Sequence, residues 1–266
     1  MSVNSKPILG ICVTSLAASP DQLNQLPATI NKLRQYFTIE IESDLAIKDI
    51  FDSQSVADRI DNLKKTLETA DIIMAFNGGY NSIELFVRFD EIPTNENKIF
   101  IGYSDNTLLA NSLPASGRTR GWQGPMLANF LRDPKYVDLW ASNILAWYTK
   151  NASMITEQYN TIGMTVYRQG KMQGKVWGGN NYTFDLLQGT PFAPKMSEPY
   201  IFLLEGEDFI TAKNRVWQDT IRNLDAIMLL PGASQNIKGL LIGKYPQTYK
   251  LNLAELRATI DKRDYL

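Results

Sequence analysis

Apolar residues in the first hundred positions fall into two alternating patterns. Ile8 to Thr14 (ILGICVT), Asp71 to Phe76 (DIIMAF) and Lys98 to Tyr103 (KIFIGY) are short, β-rich and charged only at their edges. Such runs predict strands buried on both faces. Between them, Leu26 to Tyr36 has helical spacing, and Ser55 to Thr69 sets Val56, Ile60, Leu63 and Leu67 three or four apart along one helix face. Phe37 to Ile41 alternates like a strand, Ser82 to Phe89 is helical, and a further helix starts at Thr107. Strand-helix alternation of this kind predicts an α/β unit, a parallel sheet with helices on both faces.

The later pattern differs. Asp133 to Tyr159, rich in aromatics (Tyr136, Trp140, Trp147, Tyr148), reads as a helical connector. From Thr161 come short alternating segments, then a helix near Tyr182 to Leu187 and a strand at Tyr200 to Leu204. A helix at Ala212 to Leu224 and a strand at Gly239 to Gly243 follow. The expectation is two domains, 1–150 and 151–266, the second smaller, β-rich and of α+β type.

Composition narrows the function classes. The 266 residues carry 27 Lys+Arg against 28 Asp+Glu, a net charge of -1, which gives no electrostatic reason to expect nucleic acid or an anionic membrane as partner. The apolar start is too short for a signal peptide, and no run approaches the roughly 18 residues of a spanning helix. The expected location is the cytoplasm. Cys12 is the one cysteine and there is no histidine. Those counts exclude a disulfide framework, a Cys-rich zinc site, His-ligated metals and any Ser-His or Cys-His base within these residues. No cofactor and no metal are expected.

Candidate chemistry sits where strands give way to helices. In KIFIGYSDNT (98–107), Ser104 follows a buried strand and precedes a helix, the position of a nucleophile elbow near a helix N-terminus. The pattern G-x-S-x-G is not met, because Asn106 stands at the second glycine, and helix capping by Ser104 or Asp105 is the simpler alternative. Gly78-Gly79-Tyr80 occupies the corresponding position after DIIMAF, where glycines admit a ligand close to the backbone or make a tight turn. Gly121-Trp-Gln-Gly-Pro125, with Gln123, and Trp177-Gly-Gly-Asn180 read as loops beside a site or as plain structure. Glu205 follows the strand YIFLL directly, where a carboxylate orients a base, binds a cation or simply meets solvent.

Taken in order, IIMAFNGGYNS (72–82), KIFIGYSDNT (98–107), GWQGPM (121–126), GKVWGGNNYTFDLLQGTPFAP (174–194), YIFLLEGED (200–208) and IKGLLIGKY (237–245) resemble the LD-carboxypeptidase family of serine peptidases, which includes muramoyltetrapeptide carboxypeptidases and microcin C immunity peptidases. The resemblance implies a Rossmann-like N-terminal domain, a smaller β-rich C-terminal domain, no metal, and a homodimer. It implies Ser104 as nucleophile and Glu205 as the residue orienting a catalytic histidine. The N–H groups of Gly79 and Asp105 would form the oxyanion hole. Gly78, Tyr80, Gln123 and Asn180 would meet the substrate, a peptide with a free carboxyl terminus such as a muropeptide tetrapeptide. The sequence departs from the family at Gln123, where a histidine is usual before Gly-Pro, and at Glu205-Gly206-Glu207 in place of a Leu-Glu-Asp run. The family histidine is expected in a segment beyond the GLLIGKY strand. Its absence leads to the expectation of an incomplete C-terminal domain and impaired hydrolysis.

Overall fold

The computed structural model describes residues 6–41, 44–149, 166, 168–206, 216–243, 258, 261 and 262. The chain divides into two compact units, Met1–Met164 and Thr165–Leu266. The expected boundary near residue 150 falls at the edge of a stretch outside the described residues, as does most of the expected connector beyond Thr149.

In the first unit, strands β1 (Ile8–Cys12), β2 (Thr38–Glu40), β3 (Ile72–Ala75), β4 (Ile99–Gly102) and β5 (Arg120–Gln123) form one sheet in the order β2-β1-β3-β4-β5. Every pairing is parallel. The order reverses between β1 and β3, the switch point beside which open α/β sheets bind ligands at the carboxyl ends of their strands. Alternate residues (Leu9, Ile11 and Val13; Ile72, Met74 and Phe76; Ile99 and Ile101) share one core cluster. Three helices complete that cluster: α1 (Pro20–Leu33) through Ile30 and Leu33, α4 (Leu127–Arg132) through Leu127 and Phe130, and α5 (Val137–Tyr148) through Val137, Ala141 and Ile144. The remaining helices of this unit, α2 (Val56–Thr69) and α3 (Thr107–Ala115), bury Ile60, Leu63 and Leu67 and Leu108, Leu109 and Leu113 respectively.

Several expectations shift in detail. Helix α1 begins six residues before Leu26, because Ser19 and Gln22 make a capping box and Pro20 takes the first turn, where its missing N–H costs nothing. Segment α5 is part of the first unit's core. Its aromatics pack there edge to face, Trp140 on Phe130 at 5.1 Å and Trp147 on Trp122 at 5.5 Å between ring centroids. Residues Ser82–Glu91 are 3-10 helical, kinked at Arg88. Strand β5 stands where the sequence suggests a loop; RGWQ pairs with β4 alone at the sheet edge, so its alternation is weak.

In the second unit, β6 (Lys175–Asn180), β7 (Tyr200–Glu205) and β8 (Ile237–Ile242) make a parallel sheet in the order β6-β7-β8. Helix α6 (Asn181–Asp185) follows β6, and α7 (Val216–Met228) and α8 (Ala233–Asn236) precede β8. Phe184 stacks edge to face on Phe202, and Trp177 on Tyr200, at 5.3 and 5.7 Å. Among the described residues no helix is long and apolar enough to cross a membrane.

Candidate active site

The elbow after β4 is built by backbone geometry first. Tyr103 is extended (φ -147°, ψ -170°), and Ser104 then adopts φ 57°, one of two non-glycine residues with positive φ among those described. An L-residue in the left-handed region costs on the order of 1–2 kcal/mol and persists only where its surroundings enforce it. Here they do. The Asp105 carboxylate, 4% exposed, accepts from Ser15 Oγ at 2.5 Å and from the Ser82 N–H at 2.8 Å, while the Asp105 carbonyl accepts from Ser82 Oγ at 2.7 Å. Asn106 Oδ1 accepts from Thr14 Oγ1 at 2.5 Å, and its Nδ2 donates to the Asn77 carbonyl at 2.8 Å. The loops after β1, β3 and β4 are thereby tied together. Neither Ser104 nor Asp105 caps the helix: no side-chain cap bond forms at the 3-10 turn Ser104–Asn106 or at α3. The capping alternative is set aside.

Gly78 lies directly against this serine. A Cβ at Gly78 would stand 3.2 Å from both Ser104 Cβ and Oγ. Gly79 adopts φ 149°, and a side chain there would collide with Leu16. Behind the loop, Arg59 is fully buried. It donates from Nε to the Gln54 carbonyl at 3.0 Å and from Nη1 to the Asn81 carbonyl at 2.8 Å, and pairs with Glu84. The backbone N–H groups of Gly79 and Asp105 meet no acceptor among the described residues. Tyr80 is 65% exposed beside them, and Gln123 lies at the end of β5 in register with Gly102. Ser104, Gly78, Gly79 and Asp105 therefore come together at the carboxyl ends of the first sheet.

In the second unit, Glu205 closes β7 in register with Asn180, which closes β6, so these two candidates are neighbours at the carboxyl ends of their sheet. Asn180 Oδ1 accepts from the Thr183 N–H at 3.1 Å and so caps α6. Glu207 and Lys244 lie outside the described residues. Cys12 is no rival nucleophile: burial desolvates the thiol and pushes its pKa up to about 12. Among the described residues no cluster of three or more His, Cys, Asp or Glu is placed to hold a metal.

Sequence reasoning missed Thr14, Ser15, Arg59, Asn77 and Asn106. A signal for Thr14-Ser15 existed, since they follow an uncharged strand as Ser104 does. Arg59 gave none, because a charge within a helix reads as solvated.

Residues 11–124 match the model of the LD-carboxypeptidase N-terminal domain, and residues 173–264 that of the LD-carboxypeptidase C-terminal domain. The chain belongs to the LD-carboxypeptidase family. Among its relatives is YocD of Bacillus subtilis (strain 168), 26% identical over an alignment of 237 positions that covers 81% of this chain and 70% of YocD. Solved LD-carboxypeptidase-like structures share the fold. An MccF-like protein from Bacillus anthracis str. Ames superposes with a TM-score of 0.78 at 22% identity, covering 99% of this chain and 85% of that one. Muramoyltetrapeptide carboxypeptidase from Oxalobacter formigenes gives 0.64 at 20% identity, covering 96% and 83%.

Proposed function

We propose that this member of the family is a serine carboxypeptidase whose substrate is a muropeptide tetrapeptide, from which it releases the terminal D-alanine. The observation that carries this reading is Ser104 at φ 57°, its side chain against Gly78, with two unengaged backbone N–H groups on neighbouring loops. Ser104 Oγ attacks the scissile carbonyl carbon and gives up its proton to a base, while negative charge gathers on the carbonyl oxygen. The Gly79 and Asp105 N–H groups receive that charge as an oxyanion hole, where each such donor is worth about 2.7–4 kcal/mol in the transition state. Collapse breaks the C–N bond, the amine of D-alanine leaves carrying a proton, and water then hydrolyses the acyl-serine.

No imidazole is available among the 266 residues to take the serine proton. Removing one triad member typically leaves a residual acceleration of about 10³–10⁴ over water from the oxyanion hole and binding alone. Slow, Ser104-dependent release of D-alanine is the expected behaviour. Turnover at an ordinary peptidase rate would overturn the impaired-activity claim, and release unchanged by Ser104→Ala would overturn the nucleophile. The missing imidazole also favours a second reading, a muropeptide-binding protein that does not cut. Calorimetric binding without any Ser104-dependent release distinguishes it. The microcin-type alternative replaces the muropeptide with an aminoacyl nucleotide, and the same two assays with that ligand decide it.

A further inference from the structure

A pocket of about 330 Å³ opens beside the elbow, between the first turns of α1 and helix α4. Tyr103, the residue before Ser104, and Asn77, the residue before Gly78, line it together with Gln22, Asn129 and Arg132. The hydrogen bonds these side chains already make fix what they present to it. An amide oxygen that accepts from a backbone N–H fixes its side chain's orientation and turns the NH₂, with its two donors, the other way.

Asn77 Oδ1 accepts from the Gly78 N–H at 2.9 Å, and Gln22 Oε1 accepts from the Ser19 N–H at 3.0 Å. Asn129 Oδ1 accepts from the Met126 N–H at 2.8 Å, which turns its Nδ2 to donate to the Tyr103 hydroxyl at 2.8 Å. All three amide oxygens are thus held by backbone. The Tyr103 oxygen serves as an acceptor, and its own proton is left to donate elsewhere. Arg132 spends Nε–H on Asp133 at 3.1 Å, a surface pair, and its terminal nitrogens meet no carboxylate among the described residues. Its guanidinium is held more firmly protonated than usual, by Asp133 first and then by the Tyr103 hydroxyl. Gln25, at the exposed rim, is the one lining amide with neither end engaged. The lining therefore offers hydrogen-bond donors and one cation, with the oxygens of Asn77, Gln22 and Asn129 each turned to a backbone N–H.

We propose that this pocket receives a carboxylate of the peptide substrate and so positions the chain on Ser104. The proposal rests on the peptidase reading above and deepens it. One guanidinium, sharing its charge with Asp133, matches a monoanionic carboxylate better than a dianionic phosphate.

The test uses the full chain carrying Ser104→Ala, titrated calorimetrically with Nα-acetyl-L-lysyl-D-alanine and with its carboxamide. The acid should bind about tenfold or more tightly than the amide, as a charge-assisted contact worth 1.4 kcal/mol gives. Tyr103→Phe and Arg132→Gln should each bring the acid's affinity toward that of the amide while leaving the amide's unchanged, with melting temperatures confirming the fold. Equal affinity for acid and amide, a preference surviving both substitutions, no binding of either probe at millimolar concentration, or stronger competition by inorganic phosphate than by acetate overturns the proposal. Turnover by the unsubstituted chain is measured separately. Release of D-alanine without an acid preference removes the pocket and keeps the peptidase; an acid preference without release does the reverse.

Discussion

Gly78-Gly79 and Gly178-Gly179 both stand where a parallel strand passes into a helical segment, and the two junctions are stabilised in opposite ways. Both use positive φ, 149° at Gly79 and 107° and 128° at Gly178 and Gly179. At the first, the buried polar groups are paired: Asp105 holds Ser82 and Ser15, and Arg59 holds the Asn81 carbonyl. At the second, Asn181 is fully buried with neither amide atom hydrogen-bonded. One turn later, Asp185 Oδ1 is also buried without a partner. Apolar packing of Phe184 on Phe202 holds that junction instead. The same backbone shape thus gives a polar network that fixes a strained serine in one unit and a junction carrying unsatisfied polar groups in the other.

Breaking the polar network should have the largest effect. Arg59→Met deprives the Gln54 and Thr14 carbonyls of their donors and leaves the Asn81 carbonyl only the Glu84 N–H. At about 1–3 kcal/mol for each buried group left unpaired, the expected loss is about 2–6 kcal/mol in chemical denaturation. The second junction should respond in the opposite direction. Asn181→Leu removes two unpaired buried atoms at similar volume and should raise unfolding stability by about 1–3 kcal/mol. A loss of stability in that variant would mean the amide is paired in solution.

A smaller change sharpens the link from the first junction to Ser104. Gly78→Ala places a methyl 3.2 Å from Ser104 Oγ and 3.3 Å from Met126 Cε, close enough to displace the serine by a few tenths of an ångström without unfolding the loop. Ser104-dependent release of D-alanine should fall by about tenfold, since misplacement by 1 Å costs up to about 10²-fold. The melting temperature should hardly move.

The smallest effect concerns Asp185. Burial desolvates its carboxyl and raises its pKa from 3.8 to about 6, with Arg222 pulling the other way. A folded-state pKa above the unfolded one makes this group's contribution full below about pH 4 and lost as pH rises through about 6. Asp185→Asn should flatten that dependence, by under about 1 kcal/mol after solvent screening, in thermal melts between pH 4 and pH 8. An unchanged pH profile would contradict the assignment.

The contrast between the junctions also explains what the sequence could reveal. Strands β1, β3 and β4 were legible because a strand buried on both faces must be an uncharged β-rich run. Ser104, Gly78 and Gly79 were legible as strand-end residues, and the resemblance assigned their roles. The left-handed backbone at Ser104 was not, because it is imposed by Asp105 and Asn106 bonding to loops far away in sequence. Arg59 was hidden for the same reason: its partners at Thr14, at Gln54, and at Asn81 and Glu84 come from three segments that only the fold assembles. Strand β5 escaped because an edge strand that is partly buried from Gly121 to Gln123 shows little alternation.

The central claim is that Ser104 is a positioned nucleophile lacking an imidazole. The most direct test follows D-alanine release from a muropeptide tetrapeptide while free imidazole is added as an external base, for the unsubstituted chain and for Ser104→Ala. Release by the unsubstituted chain should start near background and rise with imidazole concentration, while Ser104→Ala stays flat. Full peptidase turnover without imidazole, or identical behaviour of the two proteins, would contradict the account.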